Sequence, residues 1–167
     1  MMTRDTVRHL ARYNRWQNTQ MLAAMEKLPH EALIADRGAF FGSILGTANH
    51  LLWGDGIWMH RFAGTPKPQG GIKDSPNLHP TLAAWSAERF RMDGRITDWA
   101  NTISSVALAG DMTFFSSVLN RETTKPIAPM VLHMFNHQTH HRGQIHAMLT
   151  AAGVEAPVSD LFFMPEE

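Results

Sequence analysis

Cysteine is absent from the 167 residues. This excludes disulfides, thiolate zinc sites, iron–sulfur clusters and a protein thiol nucleophile. A surplus of either charge is absent too, because 15 Lys+Arg face 15 Asp+Glu. A protein that neutralises phosphates carries a basic excess, so neither nucleic acid nor an anionic membrane surface is an expected partner. No apolar run approaches the ~18 residues of a membrane span. The opening stretch MMTRDTVRHLARYNRW lacks the apolar core of a secretory signal, so the cytoplasm is the expected compartment. Tyrosine occurs once, against ten histidines. With 44% hydrophobic residues the chain can bury a full core, and at ~150 residues per domain it reads as one domain over 1–167.

Periodicity predicts four long helices. Thr3 to Lys27 carries Val7, Leu10, Asn14, Met21, Met25 and Leu28 close to one stripe, with Thr3 as N-cap and Pro29 marking the end. Residues 29–42 form a connection. Ser43 to Phe62 is the second helix, capped by Ser43 and containing Gly46, Gly54 and Gly56. Each interior glycine costs about 1 kcal/mol relative to alanine, so each needs a reason. Residues 63–80 are a Pro/Gly-rich crossover long enough to join elements that are not immediate neighbours. Thr81 to Trp99 is the third helix, with Arg89 a polar interruption of its apolar face. Residues 102–125, rich in Thr, Val, Phe and Ser, read as a small β-hairpin or extended excursion. Pro129 to Ala152 is the fourth helix, with Gly153 just past its end. Leu161, Phe162 and Phe163 are expected to pack back on the rest. The fold class is all-α, a four-helix bundle with a long crossover and a hairpin before the last helix.

The fourth helix holds five histidines: His133, His137, His140, His141 and His146. At about 100° per residue, with His137 at the origin, the apolar stripe lies between about 20° and 80°. His141 falls inside it at about 40° and His137 lies on its edge. His133 and His140 lie further round, and His146 is opposite. Two imidazoles one turn apart can converge on one ion, though such a pair also arises as ordinary buried histidine. His50 in the second helix is the candidate third ligand. Gly46 and Gly54 flank it by one turn, leaving room either for close helix packing or for an open volume above an ion. Three neutral imidazoles with open positions would be the arrangement of a catalytic site. His60 points away from His50, and His9, His30 and His79 are expected to face solvent. Gln144, three residues after His141, is the candidate catalytic residue, able to orient a ligand or meet substrate. Asn49 and Asn136 are expected to bond between helices, and Asp55 to orient an imidazole or pair with Arg142. Trp53, Trp58, Trp85 and Trp99 are expected in the core rather than in a substrate pocket.

The segments NHLLWGDGIWMHRF and HMFNHQTHHRGQIHAML resemble the DinB family. GAFFGSILGTANH, the Pro-rich crossover and the hairpin-like insertion fit the same resemblance, which covers nearly the whole chain. Its most specific part is H-x-x-x-H-R-G-Q with N-H-L-L-W-G-D upstream. The resemblance implies a four-helix bundle in which His50, His137 and His141 hold a divalent transition metal, with zinc, nickel, manganese and iron all compatible with imidazole. It implies a homodimer, and a thiol-dependent S-transferase taking a low-molecular-weight thiol and a small electrophilic substrate. Hydrolysis at the same site and non-catalytic metal binding in a stress response are the alternatives.

Overall fold

A computed structural model describes residues 2–166. It is mostly helical, with six α-helices and one two-stranded antiparallel sheet among the described residues. The long helices are α1 (Arg4–Met25), α3 (Ile44–Ala63), α4 (Leu82–Thr102) and α6 (Ile127–Ala151). Each packs on two others, in the closed order α1, α4, α3, α6. No helix is long and apolar enough to cross a membrane, among the described residues.

The starts of three helices follow from local hydrogen bonding. Thr3, Ser43 and Thr81 each adopt extended backbone, and each hydroxyl accepts from the N–H three residues on, at 3.1, 3.0 and 3.2 Å. This satisfies an amide that the helix itself leaves unpaired. The fourth long helix begins two residues before Pro129, at Ile127, whose N–H bonds the Gly110 carbonyl. Proline in the first turn removes only a donor that has no helical partner. Gly64, left-handed at φ 66°, closes α3.

Two short helices lie where the sequence pattern shows only connection or extended chain. These are α2 (His30–Ile34), between the first two long helices, and α5 (Ser105–Ala109), capped by Ser104. Five residues are too few for a periodic stripe to register. The hairpin follows as β1 (Asp111–Ser116) and β2 (Arg121–Pro126), with Asp111 opposite Pro126 and Ser116 opposite Arg121. Asn120 supplies the positive φ of its turn.

The core joins residues from all four long helices, including Val7, Met25, Ile44, Leu51, Met59, Trp85, Ile96, Met134, Ile145 and Leu149, each at most 1% exposed. Trp85 buries its whole ring and donates its indole N–H to the Ala48 carbonyl at 2.9 Å. Arg89 lies inside this core between Asp55 (2.7 Å) and Asp93 (2.8 Å), and Asn18 donates to Asp93 at 2.9 Å. Asp55 therefore serves neither an imidazole nor Arg142. Arg89 reaches it first across the α3–α4 contact, while Arg142 bonds Asn14 on α1.

The tail departs from expectation. Leu161, Phe162 and Phe163 are 46%, 89% and 61% exposed, and Met164 is buried in their place. The tail is held through its backbone: Tyr13 and Arg12 donate to the carbonyls of Ser159 and Pro165, and Gln17 to that of Val158. Backbone anchoring fixes the path of the chain without burying the aromatic side chains.

Candidate metal centre

The site is built on facing turns of α3 and α6. His50, His137 and His141 meet there, with one nitrogen from each ring all within 4.8 Å of one another. His50 Nε2 is 3.1 Å from His137 Nε2, and the ring centroids of His137 and His141 are 4.5 Å apart. His137 and His141 reach the centre because four residues separate two positions on one face of α6. His50 reaches it because α3 packs directly on α6.

Two of the three rings have a fixed tautomer. Ser75 donates its hydroxyl to the Ile72 carbonyl at 2.7 Å, so its oxygen accepts from Nδ1–H of His50 at 2.9 Å. His50 then presents the lone pair of Nε2 to the centre. Gln144 Oε1 accepts from Nδ1–H of His141 at 2.7 Å, which leaves Nε2 of that ring as a lone pair as well. An imidazole that donates through one nitrogen to an oxygen and ligates through the other is the usual form of a metal-binding histidine. Gln144 also approaches His140 Nε2 at 3.5 Å.

The electrostatics favour neutral rings. Burial, and then the His141 charge, hold His50 down to about 4. Burial, and then the surrounding histidines, led by His141 and His50, hold His137 down to about 3. Burial lowers His141 as well, against the bond to Gln144, which favours its charged form. At neutral pH all three rings are therefore uncharged. With His50 Nε2 the acceptor, the 3.1 Å contact is donated by His137 Nε2–H, an inward proton that an incoming cation would displace.

The donor set fits a divalent ion. Two ligands about 2.0–2.1 Å from a tetrahedral ion lie roughly 3.3 Å apart, close to the His50–His137 separation of 3.1 Å, while the spread of up to 4.8 Å over all three nitrogens means the rings would draw in to close on an ion. The glycines explain the approach of the helices. A Cβ on Gly54 would stand 3.1 Å from His137 Cε1, so Gly54 makes the space that the His137 ring fills. A Cβ on Gly46 would meet the Phe41 carbonyl at 2.6 Å, and one on Gly56 would meet Pro68 at 3.1 Å. These glycines serve close packing rather than an open volume.

Family membership follows once this geometry is joined to the sequence match. The DinB family model matches residues 1–167. The chain belongs to the DinB family. Protein DinB of Bacillus subtilis (strain 168) is 26% identical over 162 residues, spanning 90% of this chain and 88% of that one. A DinB-like protein from Bacillus cereus ATCC 10987 superposes with a TM-score of 0.64 at 17% identity, covering 86% of this chain and 90% of that one, a likeness of fold.

Other candidate residues of this DinB chain take different places. Asn49 does not bridge long helices. Its amide donates to the carbonyls of Pro76 and His79, both at 2.9 Å, and accepts from the His79 N–H at 3.2 Å. This clamps the crossover and leaves His79 half-buried rather than in solvent. Asn136, His133 and His140 on α6 are exposed, as are His9 on α1, His30 on α2 and His60 on α3. Trp58, Trp85 and Trp99 are core residues, whereas Trp53 is half-buried and stacks beside His50 at 6.0 Å. Two functional positions have no sequence pattern to announce them. Ser75 sits in a Pro/Gly-rich crossover, and Phe41, stacked on His50 at 3.7 Å, sits in a connection.

Proposed function

We propose that this chain is a metalloenzyme of the DinB type, a single-domain four-helix bundle over 1–167. His50, His137 and His141 hold one divalent transition metal: zinc, nickel, manganese or iron. The reaction is transfer of a low-molecular-weight thiol to a small electrophilic substrate. The observation that carries the metal site is the convergence of three imidazole nitrogens within 4.8 Å, two of them on rings tied at Nδ1. A divalent ion bound by three uncharged ligands supplies Lewis acidity. The chain has no cysteine, so the attacking sulfur comes from a small molecule. The resemblance to the family supports a homodimer as the working unit, and the cysteine-free composition is in keeping with the cytoplasm.

The chain's own residues prepare the site. Ser75 and Gln144 each hold a ring proton at Nδ1 and thereby turn Nε2 inward. Gln144 is in this reading a positioning residue acting through His141. Phe41 stacks on His50 and shields one face of that ring from water. Gly54 admits the His137 ring.

Elemental analysis of protein purified without a His-tag should find about one equivalent of transition metal per chain, lost in His50→Ala. Full metal content in the triple variant His50→Ala/His137→Ala/His141→Ala would refute the site. A thiol-by-electrophile screen on metal-reconstituted protein, with His141→Ala as control, then tests the reaction, and the same screen with ester substrates tests hydrolysis. A second reading, metal binding without turnover, is favoured by Phe41, which covers His50 and lies 5.4 Å from His141. Full metal content with no activity in the screen would select it.

A further inference from the structure

A cavity of about 440 Å³ lies between α3, the crossover and the hairpin. Its size is in the range of small-molecule sites, roughly 300–1,000 Å³. Three features set its chemistry. Arg61, Lys67 and His60 line it, and among the described residues no aspartate or glutamate does. Arg61 is half-buried, with its guanidinium 4.6 Å from the Trp58 ring centre and 4.1 Å from that of Phe114. Among the described residues no carboxylate pairs with it. Burial presses its pKa downward, so the fold has partly desolvated this cation without supplying a counter-ion. The acid nearest in sequence, Asp55, is taken by Arg89 at 2.7 Å, and Asp74 of the crossover accepts from the Gly71 N–H at 2.8 Å. Finally, Trp53 forms part of the wall. Its indole N–H is fixed to the Gln69 carbonyl at 3.2 Å, and its ring lies 6.0 Å from that of His50. One aromatic ring is thus shared between the cavity and the histidine cluster.

We infer that this cavity binds a small organic anion, its negative group against Arg61 and Lys67 and its apolar part against Trp53 and Phe114. A guanidinium fixed between two aromatic rings has lost its freedom before any ligand arrives, which favours charge-assisted bonding to a carboxylate or phosphate. The position beside Trp53 places such an anion next to the candidate metal centre. The inference deepens the proposed reaction by assigning a charge to its substrate, and for that purpose it rests on the metalloenzyme reading. Binding itself needs only the cavity.

The test is calorimetric titration of the full chain, metal-free and zinc-loaded, with phenyl phosphate as probe and benzyl alcohol as the neutral control. Saturable binding of phenyl phosphate is expected in both forms and in His141→Ala. Arg61→Gln should weaken it about tenfold, Arg61→Lys should recover only part of the loss because an ammonium lacks the planar, ring-stacked fork, and benzyl alcohol should bind far more weakly. Lys67 is exposed, so Lys67→Gln leaves the fold intact and should weaken binding severalfold even if Arg61→Gln does not fold. Four results would overturn the inference: no binding to the parent protein, equal binding of benzyl alcohol, parent-like affinity in folded Arg61→Gln or in Lys67→Gln, or binding that disappears with the metal or in His141→Ala. A chain that holds no metal but binds the probe as described would sink the metalloenzyme reading and leave the anion site standing.

Discussion

Gly54→Ala separates the stability of α3 from the geometry of the histidine cluster. Alanine in a helix interior is favoured over glycine by about 1 kcal/mol, so propensity alone would raise stability. The new methyl, however, would stand 3.1 Å from His137 Cε1. Unstrained carbon atoms rest about 3.5–4.0 Å apart, so the ring must retreat by roughly 0.4 Å or more. Binding constellations tolerate displacements of only about 0.5 Å, and loss of ligand support typically costs about 10–100-fold in metal affinity. A retreat at the edge of that tolerance should lower zinc affinity by about tenfold, the small end of the range, while the melting temperature moves little. Gly94 and Gly143 supply the controls, since a Cβ at either meets nothing within 4 Å. Gly94→Ala and Gly143→Ala should each raise Tm by about 2–4 °C and leave zinc affinity unchanged. Competition titration against a chelator measures the affinity and calorimetry the Tm. Parent-like zinc affinity in Gly54→Ala would refute the claim that this glycine exists to admit the His137 ring.

Ser75→Ala and Gln144→Ala each remove the oxygen that orients a ligand ring, and metal affinity should fall about 10–100-fold without vanishing. If Gln144 acts only through His141, its variant should recover activity when the metal is supplied at saturation. The metal-free protein should lose stability as pH falls. His50 and His137 are held at about 4 and about 3, below the ordinary value of about 6.5. The unfolded chain therefore takes up protons first, and the contribution present above pH ~6.5 is lost as pH drops through about 4 and about 3. Thermal melts of metal-free protein between pH 7.5 and pH 4.5 should show this slope, and His137→Ala should flatten it. Arg89→Met leaves Asp55 and Asp93 buried without their cation and should cost about 3–5 kcal/mol in denaturant unfolding, as breaking a buried ion pair does.

Much of the architecture is legible in the chain because it is written locally. A hydroxyl residue before an apolar stripe marks two helix starts, where Thr3 and Ser43 cap as their positions suggest, and Thr81, expected only as the first residue of its helix, does the same for α4. The spacing of His137 and His141 places them on one face of one helix before any packing is known. What escapes is decided between elements. Asp55 could face several cations, and only the packing of α3 on α4 selects Arg89. Ser75 and Phe41 belong to segments with no period, so their contacts with His50 exist only once the connections are folded down. The tail fails for a related reason: apolar composition suggests burial, but carbonyl bonds to Tyr13 and Gln17 leave Phe162 and Phe163 outside.

Asn49 and His50 are adjacent on α3, and both grip the same short stretch of the crossover, the one through Pro76 and His79, the other through Ser75. This divides the long connection into two parts with unequal tolerance to change. Around residues 66–70 the chain is largely exposed but held by Pro68 beside Gly56 and by the Gln69 carbonyl on Trp53, and extra residues between those holds and the clamp would be absorbed as slack. Between residues 75 and 79, a single inserted residue would shift the register of the clamp and pull Ser75 away from the imidazole it steers. Length variation among natural relatives should accordingly crowd into the first part and avoid the second.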